Sequence, residues 1–338
     1  DLSSFDTSNV EDMSYLFSSC SKFTSLDLSN FDTSKATNMS YMFRSCDKLT
    51  FLDLSSFDTS NVTDMHHMFK GCKFLKEIKG LEKFNTKKVK EMNGMFQLCS
   101  EFKILDLSSF DTSNIINMQY MFSQCTKLKE IKGLDKFNTK KVVKMNSMFY
   151  LCSEIEYLDL SSFNTSNVID IQHMFGGCTQ LEKIKGLEKF NTINVINMYS
   201  MFQFCSKLDE VDLSNFNTSN TIYMVNMFHG CSKLKNIKGL NKFITSKVKD
   251  MSQMFRLCSE LEKLDLSNFN TSNVSDMKKM FYGCNKLKEI KGINKFITDK
   301  VKDMNGIFQF CSELEVLDLS SFEISNVYNI RDIFEGCN

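Results

Sequence analysis

The sequence contains no proline and no tryptophan. Average usage would supply on the order of 17 prolines in a chain of this length. The absence points to one repeat copied many times, because whatever the repeat lacks is lacking everywhere. No apolar run approaches the ~20 residues that a membrane-crossing helix needs, and the chain opens on Asp1 rather than on a basic and then apolar leader. Neither sign of charge is in excess, since 41 Lys and Arg balance 41 Asp and Glu. A balanced chain offers no global field to nucleic acid, anionic lipid or an acidic partner. These residues are expected to be soluble, with no nucleic-acid binding and no direct membrane insertion, and any signal, anchor or tail is expected to lie outside them.

What is abundant is periodic. The 13 cysteines stand at Cys20, Cys46, Cys72, Cys99, Cys125, Cys152, Cys178, Cys205, Cys231, Cys258, Cys284, Cys311 and Cys337, spaced 26, 26, and then 27 alternating with 26. A fixed period in this range is the signature of a solenoid. The length that would otherwise imply two domains is therefore read as a single repeat solenoid over 1–338.

Each repeat has two parts. The stretch Leu49-x-x-Leu52-x-Leu54-x-x-Phe57 alternates as a short half-buried strand does. The stretch Val62-x-x-Met65-x-x-Met68-Phe69-x-x-Cys72 repeats its apolar residues at three- and four-residue steps, which reads as one face of a short helix. Asp58-Thr59-Ser60-Asn61 between them carries turn and cap residues. The expected fold is an α/β solenoid, a stack of 13 strand-turn-short helix repeats with one parallel β-sheet. Two Phe ladders, through Phe57, Phe84, Phe110 and Phe137 and through Phe69, Phe96, Phe122 and Phe149, account for 26 of the 32 Phe and are expected to fill the core.

The two spacings mark two kinds of repeat. In the longer, Ile78-Lys79-Gly80-Leu81-Glu82-Lys83-Phe84 replaces Leu52-Asp53-Leu54-Ser55-Ser56-Phe57, and the Gly returns as Gly133, Gly186, Gly239 and Gly292. A bulge or kink at the strand end, with Gly at positive φ, is expected there. From about residue 52 the true repeat is a 53-residue doublet. The outward strand position then reads Asp53, Lys79, Asp106, Lys132, Asp159, Lys185, Asp212, Lys238, Asp265, Lys291, Asp318. Stacked in parallel, this column pairs opposite charges at a few tenths to ~1 kcal/mol each. It is the candidate ladder for register and interaction. The position two residues before it varies from repeat to repeat, and Ile104 and Tyr157 there are the candidate partner face.

No catalytic, cofactor-binding or metal-ligating set stands out. One Cys per repeat with parallel Cβ directions reads as a buried thiol ladder, and no closely spaced Cys pair suits a metal. His66, His67, His173 and His229 are expected on the solvated side. The recurring Thr, from Thr7 to Thr298, is expected to serve turns and caps. Sequons at Asn38, Asn61, Asn164, Asn217, Asn270 and Asn273 arise easily in a chain so rich in Asn, Ser and Thr.

The unit Leu-Asp-Leu-Ser-x-Phe-Asp-Thr-Ser-Asn-Val-x-x-Met-x-x-Met-Phe-x-x-Cys, as in Leu52 to Cys72, resembles the bacterial surface protein 26-residue repeat family, a relative of the BspA-like leucine-rich repeats. The resemblance implies a leucine-rich-repeat-like right-handed solenoid on extracellular or cell-surface proteins and adhesins, with no catalytic residues to carry over. The longer repeat departs from that motif. The chain starts within a strand at Asp1-Leu2-Ser3 and stops just after Cys337, without polar capping repeats. It is therefore expected to belong to a longer array or to be covered by neighbours in a homo-oligomer or filament. The expected function is a non-enzymatic extracellular stalk or filament. The alternative is an adhesin module whose strand face binds a protein of a host or neighbouring cell.

Overall fold

A computed structural model describes residues 2–337; of the strand expected at Asp1-Leu2-Ser3, Asp1 falls outside them and Leu2 and Ser3 are not in a strand. The chain divides into two compact units, Asp1–Asn167 and Val168–Asn338. Each unit is a parallel β-solenoid with almost no helix.

The first unit carries strands β1 (Phe51–Asp53), β2 (Glu77–Lys79), β3 (Ile104–Asp106), β4 (Glu130–Lys132) and β5 (Tyr157–Asp159). The second carries β6 (Lys183–Lys185), β7 (Glu210–Asp212), β8 (Asn236–Lys238), β9 (Lys263–Asp265) and β10 (Glu289–Lys291). In the first unit the middle residue of every strand points inward and is buried, while the residues on either side face outward. The alternation around Leu52 was legible for that reason.

The expected single sheet is not formed. β1 pairs in parallel with β2, β3 with β4, β7 with β8 and β9 with β10. Among the described residues no ladder joins β2 to β3, β4 to β5 or β8 to β9. Whereas Glu289 of β10 keeps one isolated parallel bridge to Val316, the break falls after the longer repeats of β2, β4 and β8. There Gly80 takes φ 90° and opens a single 3-10 turn, Leu81–Lys83, with Leu81 buried. A Cβ on Gly80 would lie 2.6 Å from the backbone of Leu54 and Ser55 in the preceding repeat. Glycine is thus required twice, for the left-handed backbone and for the close approach. The positive φ agrees with the sequence reading, but the feature is a 3-10 turn rather than a bulge.

The second correction concerns the expected helices, for no α-helix is present among the described residues. Met65–Cys72 is instead two tight turns in succession. The Met68 amide donates to the Met65 carbonyl at 3.2 Å and the Cys72 amide to the Phe69 carbonyl at 3.1 Å. His67 and Gly71 hold the positive φ values, 55° and 79°, that such turns need at their third residue. The alternate amides cross to the next repeat, from Met65 to Glu91 O, His67 to Asn93 O, Phe69 to Met95 O and Gly71 to Gln97 O, at 2.7–3.0 Å. A helix would satisfy its amides within the segment. Here half of them tie one repeat to the next. Three-residue returns of the chain put Met65, Met68, Phe69 and Cys72 inward at the same spacing a helix would give, so the apolar pattern alone could not separate the two.

Parallel bridges follow this side without a gap, Asp12–Asn38–Asp64–Glu91–Asn117–Lys144 in the first unit and Asp170–Asn197–Tyr223–Asp250–Asp276–Asp303–Asn329 in the second. The Phe ladder beneath them is buried up to Phe308 and exposed at its last member, Phe334, with rings 5.6–6.0 Å apart from Phe17 to Phe149 and 5.5–5.9 Å apart from Phe175 to Phe334. The recurring Thr acts across repeats rather than within a turn. Thr139 Oγ1 donates to the Asn164 carbonyl at 2.9 Å and accepts the Asn164 amide at 2.7 Å, and Thr33 treats Asp58 the same way. One buried hydroxyl thereby does the work of a pair of ladder hydrogen bonds.

Candidate interaction surface

The cysteines form the expected buried ladder. All 13 are free, and Cys46 to Cys311 are fully buried. Each thiol finds a backbone acceptor one repeat back: Cys72 Sγ donates to Phe43 O at 3.0 Å and Cys99 Sγ to Phe69 O at 3.0 Å. Burial pushes the Cys125 and Cys231 thiols up to about 12, the reverse of what a nucleophile or metal ligand requires. Among the described residues no group of three or more His, Cys, Asp or Glu is placed to hold a metal ion.

The histidines are not on a solvated side. His229 is only 7% exposed, packed 4.8 Å from the Phe204 ring, and burial lowers its pKa to about 4. His67 is half-buried over Gly94, where a Cβ would strike its ring, and its pKa falls to about 4 through burial and then the nearby Lys70. His173 is lowered by burial as well. His66 pairs with the Asp64 carboxylate at 2.5 Å. His67 and His173 were misplaced because the third position of a tight turn lies against the next repeat, whereas on a helix it would face water.

On the strand side, Asp53 faces Lys79 across β1 and β2 with Nζ and Oδ2 2.8 Å apart, and Asp265 faces Lys291 across β9 and β10 at 3.0 Å. Asp106 and Lys132 share the register, and Lys132 helps lower the Asp106 pKa after the Ser108 hydrogen bonds have done so. Asp212 and Lys238 are also opposite, but Lys238 reaches Glu210 at 3.6 Å. Asp318 accepts a long hydrogen bond from Asn294. Asp159 lies beside the Tyr157 hydroxyl, and Lys185 ends β6. Eight of the eleven residues therefore stand as four Asp–Lys doublets in register, two of them closed as ion pairs, and no ladder carries the column from β2 to β3, β4 to β5 or β8 to β9. These exposed pairs contribute little to stability individually.

Ile104 and Tyr157 stand exposed on the same face, at 51% and 47%. The sequence reading missed a third member, Phe51, at 44%. Its signal was phase, for residues 51, 104 and 157 are spaced by the 53-residue doublet. Glu77 and Glu130 lie between them, also exposed. In the second unit the same column reads Lys183, Glu210, Asn236, Lys263, Glu289 and then the exposed Val316, with no aromatic residue.

Each sheet break opens a groove beside this column. Between β2 and β3 it measures about 180 Å³, floored by Ile78, Leu81 and Leu105 and edged by Glu77, Glu82, Ile104 and Asp106. Between β4 and β5 it measures about 670 Å³, floored by Ile131, Leu134 and Leu158 and edged by Glu130, Asp135 and Tyr157. The groove between β8 and β9, about 280 Å³, has balanced edges with Lys263 and Lys291 against Asp265 and Glu289.

A family model described as Mycoplasma protein of unknown function, DUF285, matches residues 1–79, 42–157, 71–186, 143–264 and 257–338. The chain belongs to the DUF285 family. This DUF285 chain is similar in structure to a leucine-rich repeat protein from Bacteroides ovatus, 16% identical over 96% of this chain and 82% of that one, with a TM-score of 0.43. A leucine-rich cell surface protein from Faecalibacterium prausnitzii is 15% identical over 88% and 77%, TM-score 0.41. A leucine-rich repeat protein from Eubacterium ventriosum is 18% identical over 90% and 81%, TM-score 0.42. No curated protein matches the DUF285 chain in sequence. Among its described residues no helix is long and apolar enough to cross a membrane.

Proposed function

We propose that this DUF285 chain is a non-enzymatic repeat protein of the cell surface that binds a protein partner through the strand face of its first unit. The observation that carries the reading is the exposed apolar series Phe51, Ile104 and Tyr157, set one per doublet on a surface whose other strand residues are charged. Aromatic and aliphatic side chains exposed in a row beside apolar grooves are what a protein interface buries. A non-enzymatic role fits the thiols, which are engaged by backbone carbonyls and held protonated. Beads coated with the chain, applied to cultured host cells or to neighbouring bacteria, test the proposal. Replacing Ile104 and Tyr157 by Asp is expected to lower attachment at least tenfold, whereas Lys263→Asp on the second unit leaves it unchanged. Attachment that survives the double replacement refutes it.

The stalk or filament is the second reading. It is favoured by the unbroken turn-to-turn hydrogen bonding of the bridge side, which suits an element that bears load. Electron microscopy of the purified protein separates the two, and short monodisperse particles count against the filament.

A further inference from the structure

The grooves of the first unit recur with the doublet, and their period selects a ligand conformation. Two stacked repeats at ~4.8 Å each advance ~10 Å along the stack. A polypeptide lying along the stack must present side chains on one side at that interval to enter successive grooves. A β-strand repeats on one side every two residues, about 6.6 Å, and an α-helix every turn, about 5.4 Å. A polyproline II helix does so every third residue, about 9.3 Å. Only the last brings consecutive same-side residues into step with adjacent grooves, since a helix matches them only with every second turn, about 10.8 Å.

The groove chemistry narrows the sequence of such a ligand. The floors are aliphatic, Ile78, Leu81 and Leu105 in one groove and Ile131, Leu134 and Leu158 in the next. Acid dominates the edges: Glu77, Glu82 and Asp106 stand against Lys76 in the first. In the next, Glu130, Asp135, Glu156 and Asp159 stand against Lys129 and Lys132. Phe51 and Tyr157 add exposed rings two doublets apart with Ile104 between them, the kind of surface on which proline-rich chains dock with little entropy left to lose. The second unit offers a groove of balanced charge and no exposed ring in the strand column.

We propose that the grooves of the first unit hold a partner polypeptide in the polyproline II conformation, with an apolar side chain at every third residue and basic residues between. This rests on the reading of the strand face as a protein-binding surface and names the partner's chemistry. The test uses the full chain and two fluorescent 12-residue peptides of identical composition, one repeating Pro-Leu-Lys four times and one with the same residues shuffled so that no two leucines are three apart. Anisotropy titration is expected to show the regular peptide binding at least tenfold more tightly. Glu130→Lys and Ile104→Asp, each checked for an unchanged melting curve, are expected to weaken it at least fivefold, while Lys263→Glu has no effect. Equal binding of the two peptides, or binding that neither first-unit variant reduces, overturns the proposal. Cell attachment that is lost with Ile104→Asp while both peptides bind alike would leave the protein-binding face standing and remove only the polyproline register.

Discussion

The two long sides of a repeat obey different rules. On the bridge side of each unit the repeats are bonded to one another through alternate amides, Phe rings, thiols and Thr hydroxyls, and the occupants of the inward positions hardly change. On the strand side the ladder is interrupted after β2, β4 and β8, and the outward residues vary from Phe to Glu to Ile to Tyr. The lesson is a division of labour. Cohesion resides where hydrogen bonds run unbroken, and the strand side is thereby freed to open grooves and change its side chains. Such a division fits a solenoid, in which each repeat depends only on its neighbours.

The widest gap between the sides is expected in truncations. Phe122 is fully buried, its ring 6.0 Å from Phe96 and 5.7 Å from Phe149. Phe122→Ala should cost about 3–5 kcal/mol, whereas Ile104→Ala on the strand face should stay within about 0.5 kcal/mol. Chemical denaturation followed by circular dichroism measures both, and comparable losses would break the distinction. A smaller effect is expected at Thr139. Valine keeps its shape but removes both the donor to the Asn164 carbonyl and the acceptor for the Asn164 amide. Two part-buried backbone groups left unpaired should cost about 2 kcal/mol. A Thr139→Val protein as stable as the parent would show that these hydroxyls do not bind repeat to repeat.

Much of this division could be read from the sequence, and the part that could not has a definite cause. Leu52 and Leu54 mark the strand because alternation there has one interpretation, and Gly80 announces a left-handed residue because no other side chain fits. Met65 through Cys72 has two interpretations. Apolar residues three and four apart describe a helix face or two successive tight turns equally well, and the choice depends on the carbonyls of Glu91, Asn93 and Met95, which belong to the next repeat. His67 was misplaced through the same ambiguity. Phe51 belongs to the phase that Ile104 and Tyr157 already define, 53 residues apart, and extending that phase by one doublet toward the start of the chain finds it.

The smallest effect tests how the bridge side tolerates charge. Asp250, Asp276 and Asp303 are consecutive members of its column, and the Asp276 pKa is raised, mainly by burial and further by the Asp250 and Asp303 charges, against the opposing Lys278 amide and ammonium. Between the ordinary value of 3.8 and the raised one, the folded chain holds more protons than the unfolded chain. Stability from this group is therefore fully present below 3.8 and falls as pH rises through the raised value. Asn38, Asn117, Asn197 and Asn329 show that Asn occupies the same column. Asp276→Asn should therefore stabilise the chain at neutral pH by less than about 1 kcal/mol and lose that advantage in acid. His229 works in the opposite direction, because its lowered pKa makes stability fall as pH drops from 6.5 to about 4. It does so equally in parent and variant, so the difference between their denaturation midpoints isolates Asp276. A difference that is flat with pH, or that grows toward acid, would mean that the carboxylate column is solvated and that the bridge side carries charge as freely as the strand side does.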